Sequence, residues 1–136
     1  MLKLEEGECL DYTVTEVKEN EYLCVMLGPE WTPYEGGIFL VLFVYPSDYP
    51  FKPPKVRILT KIFHVGVNEH GCIDLDILHD NWSPALTIRH LITSIKNLLG
   101  DPNYDCPLNM QYYDMHKTDP EQAREKARSW TQQYAI

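Results

Sequence analysis

The chain reads as an α+β domain, and two observations say so. The first half carries short runs of β-branched and aromatic residues broken by Gly and Pro, which is the composition of strands. The second half carries apolar residues at helical spacing. Strands first and helices afterwards imply an antiparallel sheet with C-terminal helices packed on it. At 136 residues, one domain spanning 1–136 can bury a sizeable core.

Each element has its own reason. Asp11 to Val17 is a strand candidate, and Glu21 to Leu27 is a strand stopped by Gly28-Pro29. After the turn at Gly36-Gly37, Ile38 to Tyr45 has the aliphatic and aromatic content of a central strand. Lys55 to Thr60 alternates Val56 and Ile58 against Lys55 and Arg57, the pattern of a half-buried strand. A meander of about four antiparallel strands follows from these runs. Tyr45 to Pro54 holds four prolines after its first residue, so it must be an extended, fixed connector with aromatic anchors. Phe63 to Thr87 is irregular, and a loop of that length inside a compact domain is usually functional. Ile88, Leu91, Ile92, Ile95, Leu98 and Leu99 make the buried stripe of a helix. Leu108 to His116 is a short helix after Pro107. Asp119-Pro120-Glu121-Gln122 starts a last helix, with Asp as cap, Pro at the first turn and Gln able to close a capping box. Its apolar stripe is Ala123, Ala127, Trp130 and Tyr134.

Composition narrows the function. A net charge of −8 argues against a nucleic-acid binder, which needs a basic face, and suits a partner with a basic surface. No apolar run approaches a membrane span, and Met1 to Glu6 has no apolar core that would make a signal peptide. The four cysteines, Cys9, Cys24, Cys72 and Cys106, form no C-x-x-C pair, so neither a zinc site nor any other cofactor is expected. Reduced thiols in the cytosol or nucleus are the expectation. Asp74, Asp76 and Asp80 with His70 and His79 could suggest a metal cluster. Leu75, Ile77 and Leu78 interleave with them and no calcium-loop glycine spacing is present, so no metal is assigned.

Several blocks, taken in order, resemble the ubiquitin-conjugating enzyme family. They are Gly28-Pro29 with Pro33 to Phe39; Tyr45-Pro46 with Tyr49 to Val56; Asp76-Ile77-Leu78; Trp82 to Thr87; Asp101-Pro102-Asn103; and Lys117-Thr118-Asp119 with Trp130 to Ala135. The resemblance runs from about Cys9 to Ile136, is closest to the small single-domain class that works with RING-type ligases, and leaves residues 1–8 as a short non-matching start. It implies a thioester-forming cysteine ten residues after a His-Pro-Asn motif. Here His64 is kept, Val65 and Gly66 stand at the Pro and Asn positions, and Asp74 stands where the cysteine should be. The family asparagine implies an oxyanion donor or a loop brace; one such donor is worth about 10² or more in rate. Cys106 occupies the position of an acid that helps orient the incoming lysine, and so would lie across the groove from Asp74. The family also opens with an amphipathic helix, expected here to be missing or truncated to a turn.

A carboxylate cannot form the thioester, so the resemblance implies an inactive variant. It would bind ubiquitin or a ubiquitin-like protein, a RING-type ligase or an active conjugating enzyme. Against that stands a displaced nucleophile. Cys72 is two residues from Asp74 and shares its face in an extended segment. Its thiolate would form beside Asp74 and Asp76, which disfavours it; a small, partly buried cysteine is the plainer reading. Cys106 is the second alternative, with no His base predictably adjacent. The resemblance makes His64, Gly66 and Asp76 supports of the active-site loop, with His64 and Asp76 bonding local backbone. It makes Ile58, Trp82, Pro84 and Ala85 the ligase-facing positions.

Overall fold

The computed structural model describes residues 12–79 and 81–136. The start of the chain with Cys9, where the first helix is expected to be missing or truncated, and Asp80 therefore lie outside the described residues. The elements are β1 (Tyr12–Lys18), β2 (Glu21–Leu27), β3 (Ile38–Val44), β4 (Lys55–Ile58), a 3-10 turn (Asp76–Leu78), α1 (Ile88–Gly100), α2 (Met110–Thr118) and α3 (Pro120–Tyr134). The strands form one antiparallel sheet in the order β1-β2-β3-β4. The expected meander and the α+β class are both observed.

Register explains the core. Val14, Cys24, Val41 and Ile58 pair in one row across all four strands, and all four are buried. Residues two apart share a face, so Met26, Phe39 and Phe43 join that row on the inner side. α1 sets Leu91, Ile92, Ile95 and Leu99 into the same core cluster. β4 stops at Ile58, two residues earlier than its sequence pattern suggests. There the Thr60 hydroxyl accepts the Leu40 N–H (2.8 Å), a side chain doing the work of the next ladder carbonyl.

Helix starts follow capping chemistry. Thr87 accepts the His90 N–H, and the His90 ring accepts the Thr87 N–H at 2.9 Å, a reciprocal box in which His stands in for Glu. α2 begins at Met110 because Asn109 caps it through the Tyr112 N–H, two residues later than expected. Asp119 caps α3 through the Gln122 N–H, with Pro120 at its first turn.

The buried line of α3 differs from the expected stripe. It runs Ala123, Ala127, Thr131, continued by Ala135, at a spacing of four. The Thr131 hydroxyl donates to the Ala127 carbonyl, so its polar atom is satisfied inside the core. Trp130 and Tyr134 sit one step around the helix and cover the margin: Trp130 is half-buried against Phe63, and Tyr134 is exposed. The stripe docks beside Gly37, where a Cβ would lie 2.6 Å from Thr131 and 3.0 Å from Ala135, and the Ile38 N–H donates to the Ala135 carbonyl.

The proline-rich connector is held by rings, as its composition implies. Tyr22, Tyr45, Tyr49 and Trp82 form a chain of contacts with centroids 4.6 to 6.2 Å apart, leading from β2 to the loop after the 3-10 turn.

Candidate functional site

The site grows from His64. It is fully buried, and both ring nitrogens are engaged: Nδ1 accepts the Gly66 N–H at 2.9 Å and Nε2 faces the Leu98 carbonyl at 2.9 Å. Nδ1 can accept only when unprotonated, so Nε2 carries the hydrogen and donates it to the last turn of α1. Burial pushes the imidazole pKa down to about 4, against a smaller opposing effect of the Leu98 bond. His64 is a neutral latch between loop and helix.

The next two carbonyls extend that latch. Val65 O accepts the Leu108 and Asn109 N–H groups at 2.8 and 3.1 Å, tying down the loop that carries Cys106. Gly66 O accepts the Asp74 N–H at 3.1 Å, fixing the segment that carries Asp74. Gly71 supplies the turn between: its φ is +83°, and a Cβ there would lie 2.1 Å from Ile58 O.

From that turn the chain is extended, and its side chains alternate. Ile73 and Leu75 are buried; Cys72 and Asp76 are exposed and Asp74 is half-exposed on the outward side. Asp74 lines an open groove of about 870 Å³ with Asp76, Asn97, Asp101 and Trp31. The Asp76 carboxylate accepts the Asn81 side-chain amide at 3.1 Å, so it braces a side chain where backbone was expected. Gly66 is buried, and a Cβ there would meet Leu98 at 3.3 Å and the His64 ring at 3.4 Å. There is no side-chain donor at this position, and its N–H is already given to His64.

Both alternative thiols are exposed, so Cys72 is not the partly buried residue its surroundings suggested. Neither Cys72 nor Cys106 is among the residues lining the groove that Asp74 faces. Among the described residues Cys24, in the core row, is the buried thiol, and burial pushes its pKa up to about 12. Among the described residues no group of three or more His, Cys, Asp or Glu is placed to hold a metal ion. None of the described helices is long and apolar enough to cross a membrane.

The ligase-facing positions sort differently from the sequence reading. Ile58 is 3% exposed and belongs to the core row, so it offers no surface. An exposed apolar side chain nearby is Phe51, 79% accessible within the proline-rich connector. Trp82 links the two segments by donating Nε1–H to the Pro50 carbonyl at 3.0 Å. Ser83 closes the turn that follows: its Oγ accepts the Ala85 N–H and its carbonyl the Leu86 N–H, leaving Pro84 and Ala85 exposed. Sequence reasoning missed Phe51 because it followed strand alternation. The available signal was an aromatic residue between prolines, where no strand could bury it.

A meander sheet, a latched His loop and a groove closed by the last turn of α1 define the class of protein. The family model of the ubiquitin-conjugating enzyme matches residues 2–131, and the chain belongs to that family. The match begins ahead of Cys9, where the resemblance becomes legible by eye. Membership places the chain in the ubiquitin pathway and implies dealings with ubiquitin and ligases in general.

Proposed function

We propose that this chain is a ubiquitin-pathway binding module that carries no ubiquitin thioester and regulates transfer by occupying a RING-type ligase or pairing with an active conjugating enzyme. The observation that carries this reading is the Asp74 carboxylate in the groove, beside a Gly66 whose N–H is already committed to His64. The two departures reinforce each other. One removes the sulfur that would form the thioester, and the other leaves no spare donor for a developing oxyanion. The exposed set Phe51, Pro84 and Ala85, tied together through Trp82, supports the binding half of the proposal, since a protruding aromatic with small apolar neighbours makes an anchor patch. The module would work in the cytosol or nucleus, where exposed Cys72 and Cys106 stay reduced.

The test is competition. Added to an active conjugating enzyme and a RING-type ligase, the wild type should slow ubiquitin transfer in a dose-dependent way, and Phe51→Ala should relieve most of that inhibition. Failure of the wild type to bind ubiquitin, any ligase domain or any conjugating enzyme would remove the proposal.

A second reading has one observation behind it: Cys72 is exposed and on the outward side with Asp74. It makes the chain an active enzyme with a shifted nucleophile, and predicts a reducible ubiquitin adduct that Cys72→Ser abolishes.

A further inference from the structure

A groove of about 960 Å³ runs between the end of β4, the turn at residues 67–71 and the start of α2, with Trp130 of α3 also in its lining. None of its lining residues borders the Asp74 groove or belongs to the Phe51 patch. It combines three features.

The first is an unused chain edge. Past Ile58 the backbone leaves the ladder. The Leu59 N–H still donates to Leu40 O at 2.8 Å, and Thr60 answers Leu40 through its hydroxyl alone. Among the described residues, the N–H and carbonyl groups of Thr60 and Lys61 then have no hydrogen-bond partner. Both residues line the groove. Main-chain groups left open at the margin of a sheet are a template for one more strand. The edge is held from both ends: the Ile58 N–H donates to Gly71 O at 2.9 Å, and the Tyr34 hydroxyl donates to Phe63 O at 2.7 Å.

The second feature is charge. Arg57 and Lys61 line the groove, and the one carboxylate in its lining, Glu69, is turned to His70 at 3.5 Å. Lys126 stands beside it, because its ammonium and that of Lys61 both lie over the Trp130 ring, 5.5 and 4.9 Å from the centroid. Among the described residues, none of Arg57, Lys61 and Lys126 forms an ion pair. Positive charge is therefore in surplus here, on a chain whose net charge is −8. The third feature is apolar surface: Leu59, Leu108 and Met110, in the same lining, are 44, 39 and 53% exposed.

We propose that this groove binds an extended acidic segment of a partner protein as an added strand along residues 59–61, with carboxylates on Arg57 and Lys61 and an apolar side chain against Leu108 and Met110. Main-chain pairing supplies affinity in such a complex, and side chains at alternate positions supply specificity. Arg57 offers a carboxylate a planar fork, and Lys61 a point charge. The apolar share of the lining fits a polypeptide, and the net charge of −8 does not suit a nucleic acid.

The test uses the whole chain and a fluorescein-labelled Asp-Val-Glu-Leu-Glu-Val peptide, with Lys-Val-Lys-Leu-Lys-Val as its charge-reversed control and a single-stranded RNA as competitor. Anisotropy gives the affinity, and amide NMR shifts and hydrogen exchange give the location. The acidic peptide should bind, shift Arg57 and Met110, and slow amide exchange at Thr60 or Lys61. The control should leave these residues unperturbed, and the RNA should not displace the peptide. Binding should weaken about tenfold in both Arg57→Gln and Met110→Asp. Met110 is the exposed first residue of α2, where an acid suits the helix start, so loss of binding in Met110→Asp is not loss of folding. Unchanged spectra elsewhere check this. Equal binding of the two peptides at the groove, unchanged affinity in either variant, unchanged exchange at both Thr60 and Lys61, displacement by RNA, or no binding at millimolar peptide would overturn the assignment.

Discussion

Behind Asp74 the polypeptide is braced at every step. His64 bonds to Gly66 and Leu98, Val65 holds the Cys106 loop, Gly66 holds the Asp74 segment, and Gly71 passes close beneath Ile58. In front of Asp74 the lining of the groove holds no cysteine. On the proposed reading, the scaffold of a reaction and the reaction itself are separable in this fold. The brace consists of backbone bonds and buried contacts that folding needs whatever the groove does. Asp74 is partly exposed, so changing it costs folding little. The same contrast explains why the Phe51 patch stays intact: it is presented by Trp82, Pro50 and Ser83, all of which belong to the frame.

That contrast can be broken by mutation, and the largest effects should lie in the brace. His64→Ala should cost about 4 kcal/mol in urea unfolding, because it opens a cavity and leaves the Gly66 N–H and Leu98 carbonyl without their partner. A cost below about 1 kcal/mol would mean the latch is incidental. The penalty should also depend on pH. The unfolded imidazole takes up its proton near 6.5, while the folded one resists until about 4. As pH falls through that window the unfolded state binds more protons, so the native state loses stability; above 6.5 the contribution is complete. The His64→Ala penalty should then shrink by up to about 3 kcal/mol between pH 7 and pH 4, and a constant penalty would contradict the neutral latch.

Gly71→Ala should cost about 3 kcal/mol, since both the positive φ and the nearby Ile58 carbonyl oppose a Cβ. Trp130→Ala should cost about 2 kcal/mol, less than a fully buried tryptophan would, because the ring is half-exposed over Phe63 with Lys61 and Lys126 on its faces. At the small end, Asp74→Ala should change stability by less than about 0.5 kcal/mol. A loss of 2 kcal/mol there would make Asp74 part of the brace and collapse the distinction.

Much of this was readable in the residues. β-branched runs and helical spacing place the four strands and three helices to within about two residues, because one-sided burial imposes a period on the sequence. The expectation that Asp74 falls at the nucleophile position comes from the motifs on both sides, which fix the count. The misreadings have physical causes. Ile58 was taken as a surface residue, yet register across four strands places it in the buried row with Val41. The Trp130–Tyr134 stripe ran one step off the buried line, because small Ala and Thr residues carry the close packing while the large rings cover its edge. Phe51 and Trp31 were passed over because no periodicity marks an irregular loop; only the folded chain shows that their rings point outward. The commitment of the Gly66 N–H to His64 is equally invisible without coordinates.

The central claim is that the frame is complete while thioester chemistry is absent, and one assay addresses it most directly. Activating enzyme, ATP and labelled ubiquitin would be incubated with the wild type, with Cys72→Ser and with Cys106→Ser, beside an active relative, and resolved with and without reductant. The account predicts no reductant-sensitive adduct on any of the three while the relative is charged. An adduct on the wild type that disappears in Cys72→Ser or Cys106→Ser would contradict it and make the chain an enzyme with a displaced nucleophile.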